Sequence, residues 1–266
     1  MEDRINLLNL KSKMIRISSE DKTINSVSNS RFEINLNQNG SNIDRVAGYA
    51  VKYMSCPNQF YNVPANKNEL QITKQTGNIV YTIFIAPNQY NITDFLATLK
   101  SQIDTFIFPD TATVQLDPFG KIVFGYSGDA YAFTPANFEA TTMRDIIGMD
   151  ESDAQGTFFT VQNMSNPVNL TGETELYVHS KTLNNAGLVE PSGSFAVVDV
   201  LPLNVPYGAV AYSNFNDLIL HENSYIPFES LRSLRTIDIV LRNRTGDVLT
   251  LPNNFYFNMI LIIYYE

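Results

Sequence analysis

Two histidines, His179 and His221, are the first residues to test for chemistry in this chain. A metal site needs several such ligands converging with a carboxylate. Here each stands alone in sequence, His179 at the end of a strand pattern and His221 in a loop. The acidic cluster Asp150-Glu151-Ser152-Asp153 fails as a calcium loop. Such a loop wants oxygen ligands at alternate positions and glycine at the sixth. Counted from Asp150, the third position is Ser152, the fifth is Ala154, and Gly156 falls seventh. The cluster reads as a solvated turn. Arg232, Arg235, Arg242 and Arg244 are the one basic concentration. They read either as a patch for acidic neighbours or as a solvated strand end, with Arg242 and Arg244 on one face if the strand extends that far. Tyr126, Tyr131 and Phe133 could supply an aromatic platform of the kind carbohydrate-binding modules expose. There is no glycine-rich phosphate loop and no Gly-x-Ser-x-Gly elbow. The expectation is therefore no catalytic, cofactor-binding or metal-ligating residue, no cofactor, and no enzyme. A hydrolase on a β-sandwich has only generic carboxylates in its favour.

Composition narrows the partners. The net charge is −9 and the pI about 4.7, so duplex nucleic acid is not expected as a general partner, because phosphate binding needs a basic face. Charged residues are only 17 %, below the usual quarter, and there is no Trp beside 14 Tyr and 17 Phe. A surface so poor in charge suits a protein buried against neighbours; codon bias of an AT-rich genome gives the same composition. Cys56 stands alone, which excludes an intramolecular disulfide and a cysteine metal cluster and suits a reducing compartment. Met1-Glu2-Asp3-Arg4 does not begin a secretory leader, and no apolar run reaches membrane-spanning length. The sequons at Asn91 and Asn243 are then chance matches.

The elements that would position any site are mostly strands. Asn254 to Tyr265 is rich in aromatic and β-branched residues and apolar on both faces: Phe255, Phe257, Met259, Leu261 and Ile263 on one, Tyr256, Ile260 and Ile262 on the other. An edge this apolar would aggregate, so the strand is expected inside a sheet with packing on both sides. Residues 1–30 read as an arm without a clean period, ordered only on contact with neighbours. Within it, residues 1–16 carry a local +2 from Arg4, Lys11, Lys13 and Arg16 against Glu2 and Asp3. Met14–Ser18 as the first strand of the sandwich is the alternative. Phe32, Ile34 and Leu36 alternate with polar residues, and Ala47–Met54, Leu70–Lys74 and Ile79–Ile85 follow as strands. The period then changes. Ile92, Phe95, Leu96, Leu99, Ile103 and Phe106 predict a helix over Thr93–Thr105, capped by Asn91 or Thr93. A hairpin follows at Thr113–Leu116 and Lys121–Tyr126, with a helical turn at Met143–Ile147. Strands resume after Gly172. Many short strands with one helical interruption predict an all-β sandwich. The boundaries expected are 31–90 and 171–266 for the sandwich and 91–170 for an insertion.

Several segments resemble one family. Ile85-Ala86-Pro87-Asn88-Gln89-Tyr90-Asn91-Ile92-Thr93, followed by Phe95-Leu96 and Leu99, resembles an apolar–Pro–Gly–Asn–Tyr–Thr signature leading into a helix, with Asn88-Gln89 in place of Gly-Asn. Asp145-Ile146-Ile147-Gly148-Met149 is similar to a Leu-Leu-Gly-Phe turn, with Met149 replacing the aromatic. Glu175–Ser180, Val200–Leu203, Pro206-Tyr207-Gly208, Ile237–Leu241 and Thr245-Gly246 resemble the strands and turns that close the same fold. The family is the single jelly-roll minor capsid proteins that form the pentons of virophages, polinton-like viruses and related eukaryotic double-stranded DNA viruses. The resemblance spans roughly residues 31–266. It implies a single jelly-roll sandwich with a helix-containing insertion, and a homopentamer at the icosahedral vertex that contacts the major capsid protein and other capsid components. It also implies residence in the virion after synthesis in the host cytoplasm or viral factory. The competing reading is a jelly-roll module that binds carbohydrate or a receptor.

Overall fold

The computed structural model describes residues 10–24, 26–36, 43–184, 196–214, 225–249, 251 and 254–266. In chain order the strands are β1 (Lys11–Ser18), β2 (Arg31–Asn35), β3 (Ile43–Pro57), β4 (Glu69–Lys74) and β5 (Ile79–Phe84). Helix α1 (Ile92–Ile107) precedes β6 (Thr111–Leu116), β7 (Lys121–Ser127) and β8 (Tyr131–Ala132). Short helices α2 (Pro135–Ala140) and α3 (Arg144–Ile147) lead to β9 (Val161–Pro167). The last six strands are β10 (Glu175–Ser180), β11 (Ala196–Pro202), β12 (Val210–Asn214), β13 (Ile226–Leu234), β14 (Thr236–Arg242) and β15 (Asn258–Tyr265). The chain divides into two units, one reaching Gln59 and resuming at Glu173, the other Phe60–Gly172.

The first unit is a jelly roll by its strand order. One sheet runs β1-β15-β3-β12, with β13 also pairing β3, and the other runs β11-β10-β14-β2. Lettered B to I in chain order with β13 set aside, the sheets read B-I-D-G and F-E-H-C, the two interlocked Greek keys of that fold. Burial follows period two. Ile237, Ile239 and Leu241 of β14, Phe32 and Ile34 of β2, and Met259, Leu261 and Ile263 of β15 are all buried. Phe32 meets Phe257 with ring centroids 6.4 Å apart, joining the two sheets through the core.

The arm expected over residues 1–30 is not what the described part of that segment forms. β1 pairs antiparallel with β15 along its whole length, from Lys11 opposite Tyr265 to Ser18 opposite Asn258. Its period is faint because an edge strand buries little: Ile17 is buried and Ile15 half-buried, while Lys11, Lys13 and Arg16 stay exposed. Residues 1–9 lie outside the described residues. The sandwich thus includes β1.

The insertion also begins earlier than 91. β4 and β5 join the second unit because their buried residues Leu70, Ile72 and Ile83 pack with Phe95, Leu99, Ile103 and Ile107 of α1. A period-two strand looks the same whichever core it serves, so the change of period at Ile92 marked the helix and not the boundary. Two three-stranded sheets, β5-β4-β8 and β6-β7-β9, accompany α1 in this unit. Asn91 caps α1, its Oδ1 accepting the Asp94 N–H at 2.9 Å. α3 ends on Gly148 at φ 74°, where a Cβ would lie 2.1 Å from the Asn166 carbonyl oxygen, so glycine is required.

Candidate functional site

The last strand is the best candidate for a working surface, and pairing explains its two apolar faces. β15 is the second strand of its sheet, held by β1 on one side and β3 on the other. Met259, Leu261 and Ile263 point into the sandwich. Ile260, Ile262 and Tyr264 point outward, opposite Arg16, Met14 and Ser12 on β1. On β3 the outward partners are Tyr53, Ala50 and Gly48, with a bulge at Lys52 between Tyr53 and Val51. The bulge frees Lys52, whose Nζ reaches the Met14 sulfur at 3.8 Å. Asn258 Oδ1 accepts from Arg16 Nη2 at 3.2 Å. Gly48 has no Cβ because Tyr225 occupies its space: a Cβ there would sit 2.6 Å from that ring. The Tyr225 ring meets Tyr264 edge-on at 5.1 Å, and burial raises both phenols above their ordinary range.

The outward face is only partly covered. Ile262 is buried at 8 % exposure and Ile260 is half-buried, but Met14 is 64 % exposed. Across β3, Val210 and Tyr212 of β12 also point outward, at 46 % and 66 %, while Ala211 between them is in the core. Apolar and aromatic side chains therefore face outward on all four strands, with Arg16 and Lys52 among them.

The residues singled out for chemistry separate. His179 is buried in β10, and His221 lies outside the described residues. Among the described residues no three His, Cys, Asp or Glu side chains group to hold a metal ion. Asp150 Oδ1 accepts the Ser152 N–H at 2.8 Å, which holds the Asp150 carboxyl below its usual range. Asp153 Oδ2 accepts from the amides of Asp150 and Ser165 at 2.9 and 3.1 Å. The acidic cluster thus knots a capped turn to β9. Arg232 stacks on Phe228, 3.8 Å from the ring centroid, and donates to the carbonyls of Thr182 and Asn184. Arg242 ends β14 and donates to the Gly246 carbonyl, so Arg244 falls in the turn and shares no strand face with it.

The aromatic platform does not form. Tyr126, Tyr131 and Phe133 are 8 %, 1 % and 1 % exposed, inside the second unit. Tyr126 lies 4.6 Å from Tyr131, and Phe133 lies 5.7 Å from Phe124. Sequence reasoning missed Asp238, a second structural knot. Its carboxylate accepts from the backbone N–H groups of Lys181 and Thr182 and the hydroxyls of Ser180 and Thr182. Burial acts to raise its pKa, but these donors outweigh it and hold it low. Cys56 faces the core, where burial pushes its thiol up to about 12 and leaves it inert. No helix among the described residues is long and apolar enough to cross a membrane.

No protein-family model and no curated protein matches the chain. Among solved structures it is similar to the penton protein of mavirus, with a TM-score of 0.48 and 9 % identity over 95 % of this chain and 99 % of that one. It is also similar to a chain in the Sputnik virophage structure, with a TM-score of 0.35 and 10 % identity over 96 % and 98 %.

Proposed function

We propose that this chain is a structural capsid protein that forms the pentameric vertex of an icosahedral double-stranded DNA virus. Its copies close into a ring through heterologous contacts, each using two different patches. Its other partners are the major capsid protein and further capsid components, and it resides in the virion after synthesis in the host cytoplasm or viral factory. The observation that carries the reading is the outward face of the β1-β15-β3-β12 sheet. Apolar faces of this kind mark protein contacts. A jelly roll also serves lectins and cupins. Those readings would use an exposed aromatic platform or a histidine cluster, and the aromatic candidates here are core residues.

Native mass measurement of the purified full chain, alone and with capsid components, tests this. The wild type is expected as a closed pentamer. Met14→Asp and Tyr212→Asp together should abolish the ring and leave thermal unfolding of the monomer unchanged, because both side chains are already solvated. A double variant that assembles like the wild type overturns the assignment of this face. A wild type that stays monomeric under every condition overturns the function.

A further inference from the structure

The second unit holds an open sheet edge that the assembly reading does not use. β5, Ile79-Val80-Tyr81-Thr82-Ile83-Phe84, ends the β5-β4-β8 sheet. One face of β5 is anchored: Ile83 is buried in the cluster with Phe95 and Leu99 of α1. Among the described residues the edge itself is bare. Ile85 donates its N–H to Asn68 O at 2.9 Å, and Glu69 stands opposite Phe84. Hydrogen-bonded pairs alternate along an antiparallel ladder, so Ile83, Tyr81 and Ile79 turn their backbone groups to β4. Val80, Thr82 and Phe84 turn theirs outward, and none of these meets a backbone or side-chain partner among the described residues.

Proteins blunt such edges with charge, proline or a covering loop. Three other edges here follow that rule. β1 carries Lys11, Lys13 and Arg16. β2 is overlaid by residues 26–28, with Val27 N–H on Arg31 O at 3.1 Å and Ser26 Oγ on Glu33 N–H at 3.0 Å. On β6, Asp104 Oδ1 takes the Ala112 N–H at 2.6 Å. β5 has no charge and no proline in six residues, and exposes Ile79, Val80 and Phe84 at 48 %, 54 % and 52 %. An uncharged edge rich in β-branched residues is an aggregation hazard unless a strand covers it.

We propose that β5 is a docking edge for an extended, cationic segment of another protein, which joins the β5-β4-β8 sheet as an added strand. Backbone bonds to Val80, Thr82 and Phe84 supply affinity, and alternate apolar side chains of the segment lie beside Val80 and Phe84. Charge selects the sign of the occupant. Residues 60–172 hold 5 Lys and Arg against 11 Asp and Glu, a net −6 of the chain's −9. A second copy would bring an equally acidic unit to the edge and be repelled, while a segment with Lys or Arg between its apolar residues is attracted.

The probe is a short labelled peptide alternating valine and lysine, titrated into the full chain by fluorescence anisotropy. It should bind, more weakly as salt rises. Thr82→Pro removes an outward N–H that the fold does not use, and proline is tolerated on edge strands. It should weaken binding roughly tenfold or more, and Thr82→Lys should do the same by like charge. The same peptide N-methylated on its bonding edge should not bind, a control that leaves the protein untouched. Undiminished binding to both variants, equal binding of a valine–glutamate peptide, or no binding of the cationic peptide each overturns the proposal. So does a concentration-dependent dimer in sedimentation that Thr82→Pro abolishes, which would make a second copy the occupant.

Discussion

Asn62 grips the backbone of Tyr90 on both sides: its Oδ1 accepts the Tyr90 N–H at 2.9 Å, and its Nδ2 donates to the Tyr90 carbonyl at 2.8 Å. The same Nδ2 donates to Leu170 O at 3.1 Å, and the Asn62 N–H donates to Gln89 Oε1 at 3.1 Å. Entry, turn and exit of the second unit are thus tied by one side chain at 3 % exposure. Asn62→Ala removes the partner of three part-buried backbone groups, Tyr90 N–H, Tyr90 O and Leu170 O, at up to roughly 1–3 kcal/mol each. The second unit should melt several degrees lower, read by calorimetry, with the sandwich transition unchanged. Equal melting would show the grip to be incidental.

A charged cluster should set the acid stability of the same unit. Lys74 Nζ lies 2.7 Å from Asp110 Oδ2 and 3.8 Å from Asp129 Oδ2, and the Tyr131 hydroxyl donates to Asp110 at 2.7 Å. The hydrogen bond from Lys74, then that from Tyr131, holds the Asp110 carboxyl below its ordinary value. Asp129 is lowered first by its bond from Thr76. Carboxyls lowered by folding contribute stability above their unfolded pKa of about 3.9 and lose it as pH falls through the folded value. The hydrogen bond to Asp110 raises Lys74, whose contribution is complete below about 10.4 and is lost only as pH rises through the folded value. The second unit should therefore lose stability below about pH 4. Asp110→Asn should flatten that acid limb in a calorimetric series, and an unchanged limb would remove Asp110 from the account.

Deletion through Ser18 should damage the sandwich. It removes β1 from β15, and with it the buried Ile17 and Ser18. β15 would become an exposed apolar edge. The truncated protein is expected to unfold at markedly lower denaturant or to aggregate, read by circular dichroism and light scattering. Unchanged stability would restore the reading of this segment as an arm.

What could be read from the sequence was local. The helix was legible because Phe95, Leu99 and Ile103 recur at its period and Asn91 caps it, and it runs only slightly longer than expected, Ile92–Ile107. The central place of β15 was legible because an uncharged apolar strand cannot face water from an edge. Pairing across long separations was not. Nothing near Ile15 and Ile17 announces a partner strand at Met259–Ile263. Nothing in Leu70 or Ile83 distinguishes the core around α1 from the core of the sandwich. Tyr126, Tyr131 and Phe133 misled for the same reason: aromatic residues look alike whether they stack on a ligand or on one another.

The neck at Asn62 has a consequence for descent. A Cβ on Gly172 would lie 3.3 Å from the Asn62 Cα, so the second unit begins and ends at almost one point. To the sandwich, an excursion with touching ends resembles a short turn between two strands, and closing it adds little entropy however long it grows. Residues 60–172 can therefore be shortened, exchanged or elaborated while the jelly roll keeps its register. Variation among descendants of this chain should gather on the far side of that doorway.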